Sequence, residues 1–262
     1  MTTFVLIGGF WIGAWAWREV AARLTAAGHL VFPLSLTGLG ERKAQAAPGV
    51  GLETHVADVV HFIISGDLHD VVLVGHSGAG AIITIVADRI PERLAGLVYV
   101  DSGPVPDGAC IADFSGPTGR ADTIRKAAYQ GDGWRIALPP WSELGEPMLA
   151  GLDTAKREFF RANAADQPLR VAIDPVRLRG KQRGAIPCRA ILCTIPAVAV
   201  RGMIASGNPW FAPMAGPEWT LSELPTGHWP MLSEPGRLAG MLVDRPAATR
   251  ATASRSFPEY AL

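Results

Sequence analysis

The sequence lacks any apolar run of the roughly 18 to 20 residues that a helix needs to cross a bilayer. Its first residues, MTTFVLIGGF, also lack the basic segment that begins a secretory signal peptide. These two absences predict a cytoplasmic protein with no membrane partner.

An excess of charge of one sign is missing too, because 24 lysines and arginines balance 24 aspartates and glutamates. A chain without a basic surplus has no general attraction for phosphate backbones, so we expect no nucleic-acid partner. Cysteine is scarce, and Cys110, Cys188 and Cys193 form no CxxC pair. We interpret them as structural thiols and expect no metal, no cofactor and a monomer or homodimer.

Short β-rich runs alternate with longer helical runs along most of the chain. This alternation is typical of an α/β protein with a mainly parallel sheet flanked by helices on both faces. The predicted strands are 3–8, 29–36, 71–75, 94–100, 189–194 and 219–224. The predicted helices are 16–28, 52–65, 78–89, 197–206 and 236–243.

The alternation stops after Asp101. Residues 103–186 are rich in glycine, proline and charge, and they contain helical pieces such as 122–130 and 153–165 but no clear strand. We interpret 103–186 as a helical cap inserted into a core formed by 1–102 and 187–245. Residues 246–262 are polar and without pattern, which predicts a mobile tail.

The segment 71–90, VVLVGHSGAGAIITIVADRI, contains the strongest chemical signal. Gly75-His76-Ser77-Gly78-Ala79 is a G-x-S-x-G elbow with alanine in its last place. Such an elbow exposes a serine hydroxyl on a sharp turn between a strand and a helix, which is the context found here. The alternative is a glycine-rich turn without chemistry.

A nucleophilic serine needs a base within hydrogen-bond reach. His228 is the candidate, since it lies in a loop after a late strand, where α/β proteins place their sites. The alternative is an ordinary loop histidine. The other five histidines lie in predicted strands or helices, in a polar turn or in the elbow. They are His29, His55, His61, His69 and His76. We expect the His76 side chain to point away from that of Ser77.

Four segments together resemble the α/β-hydrolase superfamily, closest to its small esterase and hydroxynitrile-lyase-like branch. They are FVLIGGFWIGAWAWREVAARLTAAGHLVFPLSLTGLGER, VLVGHSGAGAIIT, LVYVDSGPVPDG and LPTGHWPMLSEPGRLAGML. The resemblance covers the start to about Gly108 and then about 187–243, but no motif in the cap. It implies an α/β-hydrolase fold, Ser77 as nucleophile and His228 as general base. It also implies that the backbone N–H groups of Phe10 and Gly78 form an oxyanion hole.

The sequence departs from this family in two places. Gly8-Gly9 replaces the usual His-Gly, and no carboxylate follows the strand 189–194, where the family places the acid of its triad. Asp101 is our candidate acid, because it ends the neighbouring strand at the same edge of the sheet. The alternatives are Asp107, Asp174, a Ser-His dyad, or an Asp101 that only caps the next turn.

Aromatic residues are available to line a substrate pocket, and each has ordinary core packing as its alternative. We name Trp11, Trp134, Trp141, Trp210 and Trp229. They favour an apolar or aromatic small-molecule substrate.

The sequence therefore predicts a serine hydrolase that cleaves a carboxylic ester or lactone through an acyl-enzyme. Two alternatives stay open. One is a lyase or cyclase that acts on a polyketide-like small molecule with the same Ser/His constellation, and the other is a non-catalytic ligand-binding protein of this fold. The composition is also associated with bacterial secondary metabolism.

Overall fold

The computed structural model describes residues 1–130, 132–180 and 186–244. Its centre is a six-stranded sheet in the order β2-β1-β3-β4-β7-β8, and every pairing in it is parallel. Its strands are β1 (Thr3–Ile7), β2 (Leu30–Leu34), β3 (Val71–His76), β4 (Leu94–Val100), β7 (Cys188–Leu192) and β8 (Trp219–Glu223). The predicted α/β fold with a mainly parallel sheet is confirmed.

Helices follow most strands, as the alternating sequence pattern predicts. They are α1 (Arg18–Ala26), α2 (Leu52–Ser65), α3 (Ala79–Arg89), α4 (Gly119–Gln130), α5 (Trp141–Leu144), α6 (Glu146–Leu149), α7 (Thr154–Asn163), α8 (Leu169–Ile173), α9 (Ala197–Ala205), α10 (Pro230–Ser233) and α11 (Pro235–Val243). The one-turn helix α10 lies in a segment that the pattern treats as loop. Pro230 starts it, since proline suits the first helical position.

The sheet is covered on both faces because its strands carry apolar residues on both sides. Val5 and Ile7 of β1 pack with α2 and α3, whereas Phe4 and Leu6 pack with α1 and α11. All six residues of β3 are buried, as are ten of the eleven residues of α3. The elbow between β3 and α3 is therefore held between two well-packed elements.

The region between β4 and β7 contains α4 to α8 and one short antiparallel pair, β5 (Arg135–Ile136) with β6 (Gln167–Pro168). A strand of two residues is too short to show the alternation of apolar and polar residues that predicts a strand, so the sequence does not predict this pair. Val171 of α8 packs into the same core as α2 and α3. The division into core and cap stays a prediction, and the predicted tail 246–262 lies outside the described residues.

Within the described ranges, no helix combines the length and the apolar character that crossing a membrane requires.

Candidate active site

Ser77 lies on the tight turn between β3 and α3. Its φ is +52°, a left-handed conformation that is rare for residues other than glycine, and its N–H donates to Val100 O over 3.1 Å. Small neighbours make this turn possible. A Cβ on Gly9 would come within 2.7 Å of Ser77 Cβ, and one on Gly75 within 2.9 Å of Ile83 Cγ2.

His228 reaches this serine from the loop after β8. Its Nε2 lies 2.8 Å from Ser77 Oγ, and its side chain is 16% exposed. The loop is fixed to the end of α6, because the His228 N–H donates to Met148 O within α6 and the Gly227 N–H donates to Ala150 O just after it. These backbone contacts hold the loop that carries the imidazole.

Asp101, at the end of β4, completes a hydrogen-bonded chain. Its Oδ2 lies 2.6 Å from His228 Nδ1 and accepts from Thr194 Oγ1 over 2.8 Å. Its Oδ1 accepts from the N–H groups of Cys193 and Thr194, each over 2.9 Å. The residues after β7, where the family resemblance places an acid, supply donors that hold a carboxylate from the next strand.

These contacts keep the Asp101 carboxylate ionised. Burial alone would raise its pKa, but the hydrogen bond from His228, the imidazole charge and the N–H groups of Thr194 and Cys193 outweigh burial. Together they lower the pKa of Asp101 to about 2. An ionised carboxylate at Nδ1 orients the imidazole so that Nε2 faces the hydroxyl whose proton it takes in catalysis.

The two alternative acids are engaged elsewhere. Asp107 Oδ1 accepts from the Leu178 N–H over 2.9 Å, and Asp174 lies 3.2 Å from Arg170 Nε. The structure therefore brings Ser77, His228 and Asp101 together and places neither alternative carboxylate at the imidazole.

His76 lies behind His228, a contact that sequence reasoning missed. Its ring is 1% exposed and 4.8 Å from the His228 ring, centroid to centroid. Nε2–H donates to His228 O over 2.7 Å, and Nδ1 accepts the Gly9 N–H over 3.3 Å. Burial and the neighbouring His228 lower the pKa of His76 to about 3, so the ring stays neutral and joins two site loops.

We expect His76→Phe to destabilise the fold by about 1–3 kcal/mol, because it leaves His228 O and the Gly9 N–H buried without a partner. Urea unfolding measures this change. His61→Phe is the matched control, since His61 is exposed. Equal stability of the two variants would contradict a bridging role for His76.

Phe10 and Gly78, whose N–H groups are the predicted oxyanion donors, line one cavity together. Neither N–H donates to an acceptor among the described residues. A Cβ on Gly78 would lie 2.7 Å from Cε1 of Phe10, so the phenyl ring closes over a position that only glycine fits. Trp11, the next residue, has a φ of +67°, which turns the loop sharply away after Phe10.

This cavity is too tight to admit a water molecule. Most of its lining is apolar, and two buried polar side chains, His55 and Gln167, interrupt it. Its lining residues are Gly8, Gly9, Phe10, Leu39, His55, Gly78, Ala79, Ile82, Gln167 and Val171.

None of the five predicted pocket tryptophans lines this cavity. Trp229 is 1% exposed and packs its edge against His228 and Phe160, and Trp141 packs on Phe160 as well. Trp210 packs against Phe114. Trp229 is therefore a core residue, and the assignment of Trp141 and Trp210 to a substrate pocket stays a prediction.

The other two tryptophans make polar or cation–π contacts, and their assignment to a substrate pocket stays a prediction. Trp11 Nε1–H donates to Ile136 O over 2.9 Å, which ties the oxyanion loop to β5. Trp134 stacks under the Arg135 guanidinium at 4.6 Å.

The described part of the chain holds no cluster of three or more metal-ligating side chains. Within it, no disulfide joins Cys110, Cys188 and Cys193.

The free energy of unfolding should decrease as the pH is lowered from about 6.5 to about 4.5. Burial lowers the pKa of His55 from 6.5 to about 4, although its Nε2–H donates to Thr37 O, and the pKa of His76 is lowered as well. Below pH 6.5 the unfolded chain therefore binds protons that the native state does not. The slope of the unfolding free energy approaches about 2.7 kcal/mol per pH unit from the two rings.

Urea unfolding from pH 7.5 to 4.5 tests this slope. We expect His55→Gln to reduce it by about half, while His61→Gln, at an exposed site, leaves it unchanged. A slope that is the same in all three proteins would contradict a buried neutral His55.

Comparison with known proteins identifies the family of the chain. The model of the alpha/beta hydrolase family matches residues 4–241. A carbendazim hydrolyzing esterase from Nocardioides sp. (strain SG-4G) is 33% identical over 247 residues, 92% of this chain and 98% of the relative. Methylesterase 7 of Arabidopsis thaliana is 33% identical over 116 residues, 44% of this chain and 42% of that protein.

Solved structures share the fold. An extracellular alpha/beta-hydrolase from a Paenibacillus species superposes with a TM-score of 0.78 at 24% identity, over 93% of this chain and 98% of that one. A pyrethroid hydrolase superposes with a TM-score of 0.69 at 23% identity, over 92% and 95%. The chain therefore belongs to the alpha/beta hydrolase family, as its motifs predicted, and is a hydrolase of the carboxylesterase type.

Proposed function

We propose that this hydrolase cleaves a carboxylic ester of a small apolar or aromatic molecule through an acyl-enzyme on Ser77. The observation that carries the proposal is the hydrogen-bonded chain from Ser77 Oγ through His228 to Asp101. Beside Ser77 lie Gly78 and the loop of Gly9 and Phe10, and the N–H groups of Phe10 and Gly78 are the proposed oxyanion donors. A nucleophile, a base, an orienting carboxylate and oxyanion donors are the parts that acyl transfer needs.

In the first half of the reaction, Ser77 Oγ attacks the ester carbonyl carbon while His228 Nε2 takes the hydroxyl proton. The carbonyl oxygen becomes an oxyanion and accepts hydrogen bonds from the N–H groups of Phe10 and Gly78. Asp101 stabilises the imidazolium that forms. Collapse of the intermediate breaks the bond to the leaving oxygen, which takes the proton from His228 and departs as the alcohol.

In the second half, water replaces the alcohol. His228 Nε2 takes a proton from the water as its oxygen attacks the acyl carbon, and the same two N–H groups hold the second oxyanion. Collapse returns the proton to Ser77 Oγ and releases the carboxylic acid. The site is then ready for another ester.

The substrate class is supported by the apolar surroundings of the oxyanion loop. Phe10, Leu39, Ile82 and Val171 lie together beside Gly78 and favour an apolar acyl group. The Nocardioides relative is named a carbendazim hydrolyzing esterase and the Arabidopsis relative a methylesterase. Both names support ester substrates.

Partition of the acyl group between water and methanol tests the mechanism. Acetates of 4-nitrophenol, phenol and 2-phenylethanol form the same acyl-enzyme, so the ratio of methyl acetate to acetate must be equal for all three. A ratio that depends on the leaving group would contradict a common intermediate. Absence of turnover on every ester, and on an aromatic lactone, would favour the lyase, cyclase or ligand-binding alternative.

A further inference from the structure

Ser102, the residue after Asp101, is bonded to the turn that carries Ser77. Its hydroxyl donates to Ser77 O over 2.5 Å. The Ser77 N–H donates in turn to Val100 O over 3.1 Å. The N–H and the carbonyl of Ser77 are therefore both held by residues that flank Asp101, so the end of β4 fixes the elbow as well as the carboxylate.

The successive side chains of Asp101 and Ser102 contact different parts of the site. The Asp101 carboxylate lies at His228 Nδ1, whereas the Ser102 hydroxyl lies at the Ser77 carbonyl. The backbone between them is unusual, because Asp101 has a φ of +43°, a left-handed conformation that is rare for residues other than glycine. One short segment thus reaches both the base and the nucleophile turn.

Gly80 leaves room for the Ser102 hydroxyl. It lies in the first turn of α3, outside the five-residue elbow motif, and its φ is not in the left-handed region. Glycine is less favourable than alanine inside a helix, because it loses more conformational freedom on folding. A Cβ at this position, however, would overlap Ser102 Oγ and Gly103 O. The contact between Ser102 and the elbow therefore explains a glycine that the helix itself does not require.

The bond from Ser102 also fixes the direction of the Gly78 N–H. A trans peptide is planar, so its C=O and N–H groups point in opposite directions. Ser77 O already accepts from the Gly80 N–H over 2.9 Å, and it does not need Ser102 to be satisfied. The second bond instead restricts tilting of the Ser77–Gly78 peptide. The Gly78 N–H, which has no acceptor among the described residues, is thereby held toward the opposite side.

We propose that Ser102 is a positioning residue that aims the Gly78 N–H at the oxyanion. The inference rests on the proposed acyl-enzyme mechanism and deepens it, because this N–H is a proposed donor in both halves of the reaction. Such donors are effective because they are oriented before charge develops on the substrate oxygen. Loss of the Ser102 hydroxyl frees the Ser77–Gly78 peptide to tilt and weakens the donor, while the triad keeps its own contacts.

A pair of substrates distinguishes the oxyanion donors from the triad. Negative charge develops on oxygen in 4-nitrophenyl acetate but on sulfur in 4-nitrophenyl thionoacetate, and sulfur is the weaker hydrogen-bond acceptor. We divide kcat/KM for each substrate by its spontaneous rate of hydrolysis and then take the ratio of ester to thionoester. The wild-type protein should show a ratio well above one.

Ser102→Ala should lower this ratio by about tenfold, almost entirely through the ester. The loss is smaller than the roughly hundredfold or more that follows removal of an oxyanion donor itself. Ser102→Cys, whose thiol is a poor donor, should lower the ratio as well and is the second variant if Ser102→Ala does not fold. Ser102→Thr keeps the hydroxyl and should retain most of the wild-type ratio.

Asp101→Asn is the matched control at the neighbouring position. It should lower kcat/KM for the ester and the thionoester alike and leave their ratio unchanged, because Asp101 acts through the imidazole of His228. A fall in activity without a change in the ratio is therefore what damage to the triad produces, and a fall in the ratio reports the oxyanion donors.

Three results would overturn the assignment. The first is a ratio that Ser102→Ala and Ser102→Cys leave unchanged even though activity falls, which indicates a purely structural residue. The second is a ratio that falls as far in Ser102→Thr as in Ser102→Ala, and the third is a wild-type ratio at or below one. If the wild-type protein hydrolyses no ester at all, it is the proposed function that fails.

Discussion

Replacing Ser77 with alanine should lower kcat/KM for 4-nitrophenyl acetate by at least about 10⁴-fold. The change removes the hydroxyl that lies 2.8 Å from His228 Nε2, so no acyl-enzyme forms. Alanine keeps the Cβ that already fits this turn at a φ of +52°, so the fold should be retained. Residual hydrolysis then reports what His228 and the oxyanion donors achieve with water alone.

Ser206→Ala is the control for this variant, because Ser206 is exposed at the end of α9. It should keep full activity. The acyl-enzyme account is contradicted if Ser77→Ala retains more than about a hundredth of the wild-type rate while its urea unfolding curve is unchanged.

Asp101→Asn should lower ester turnover by about 10²-fold to 10⁴-fold without unfolding the chain. The hydrogen bonds of Asp101 explain why. The N–H groups of Cys193 and Thr194 both point at Oδ1 and will retain the single amide oxygen there. The amide NH₂ must then face His228, which forces the proton of the imidazole onto Nε2 and removes the base from Ser77.

Asp107→Asn and Asp174→Asn are the matched controls, since both change a carboxylate that is bonded away from His228. Each should keep nearly wild-type turnover. A large loss in either control, together with a small loss in Asp101→Asn, would show that the acid is misassigned. Equal activity in all three variants would indicate a working Ser-His dyad.

Sequence patterns predicted those features of the fold and the site that depend on the position of a residue along its own strand or helix. Apolar runs between glycines predicted all six strands of the large sheet, and the elbow sequence placed Ser77 between β3 and α3. Parallel strand order then explains why Asp101, at the end of β4, lies within reach of Thr194 after β7. Neighbouring strand ends meet at one edge of a sheet, so this contact follows from topology.

Sequence patterns did not predict contacts that depend on how distant segments pack against one another. His76 was set aside because its position alternates with that of Ser77, and only the loop from β8 crossing behind the elbow makes it a partner of His228 O. The tryptophans carry no local signal that separates a pocket wall from a core. Gln167 lies in a two-residue strand whose pairing partner is 31 positions away in the chain, at Ile136.

Stoichiometric labelling with a fluorophosphonate tests the central claim most directly, because this reagent reacts only with an activated serine. We expect intact-mass spectrometry to show one adduct per chain, peptide mapping to place it on Ser77, and Ser77→Ala to remain unlabelled. Slow labelling of Asp101→Asn should parallel its loss of turnover. A folded wild-type protein that takes up no label, or a Ser77→Ala variant labelled as fast as wild type, would contradict the account.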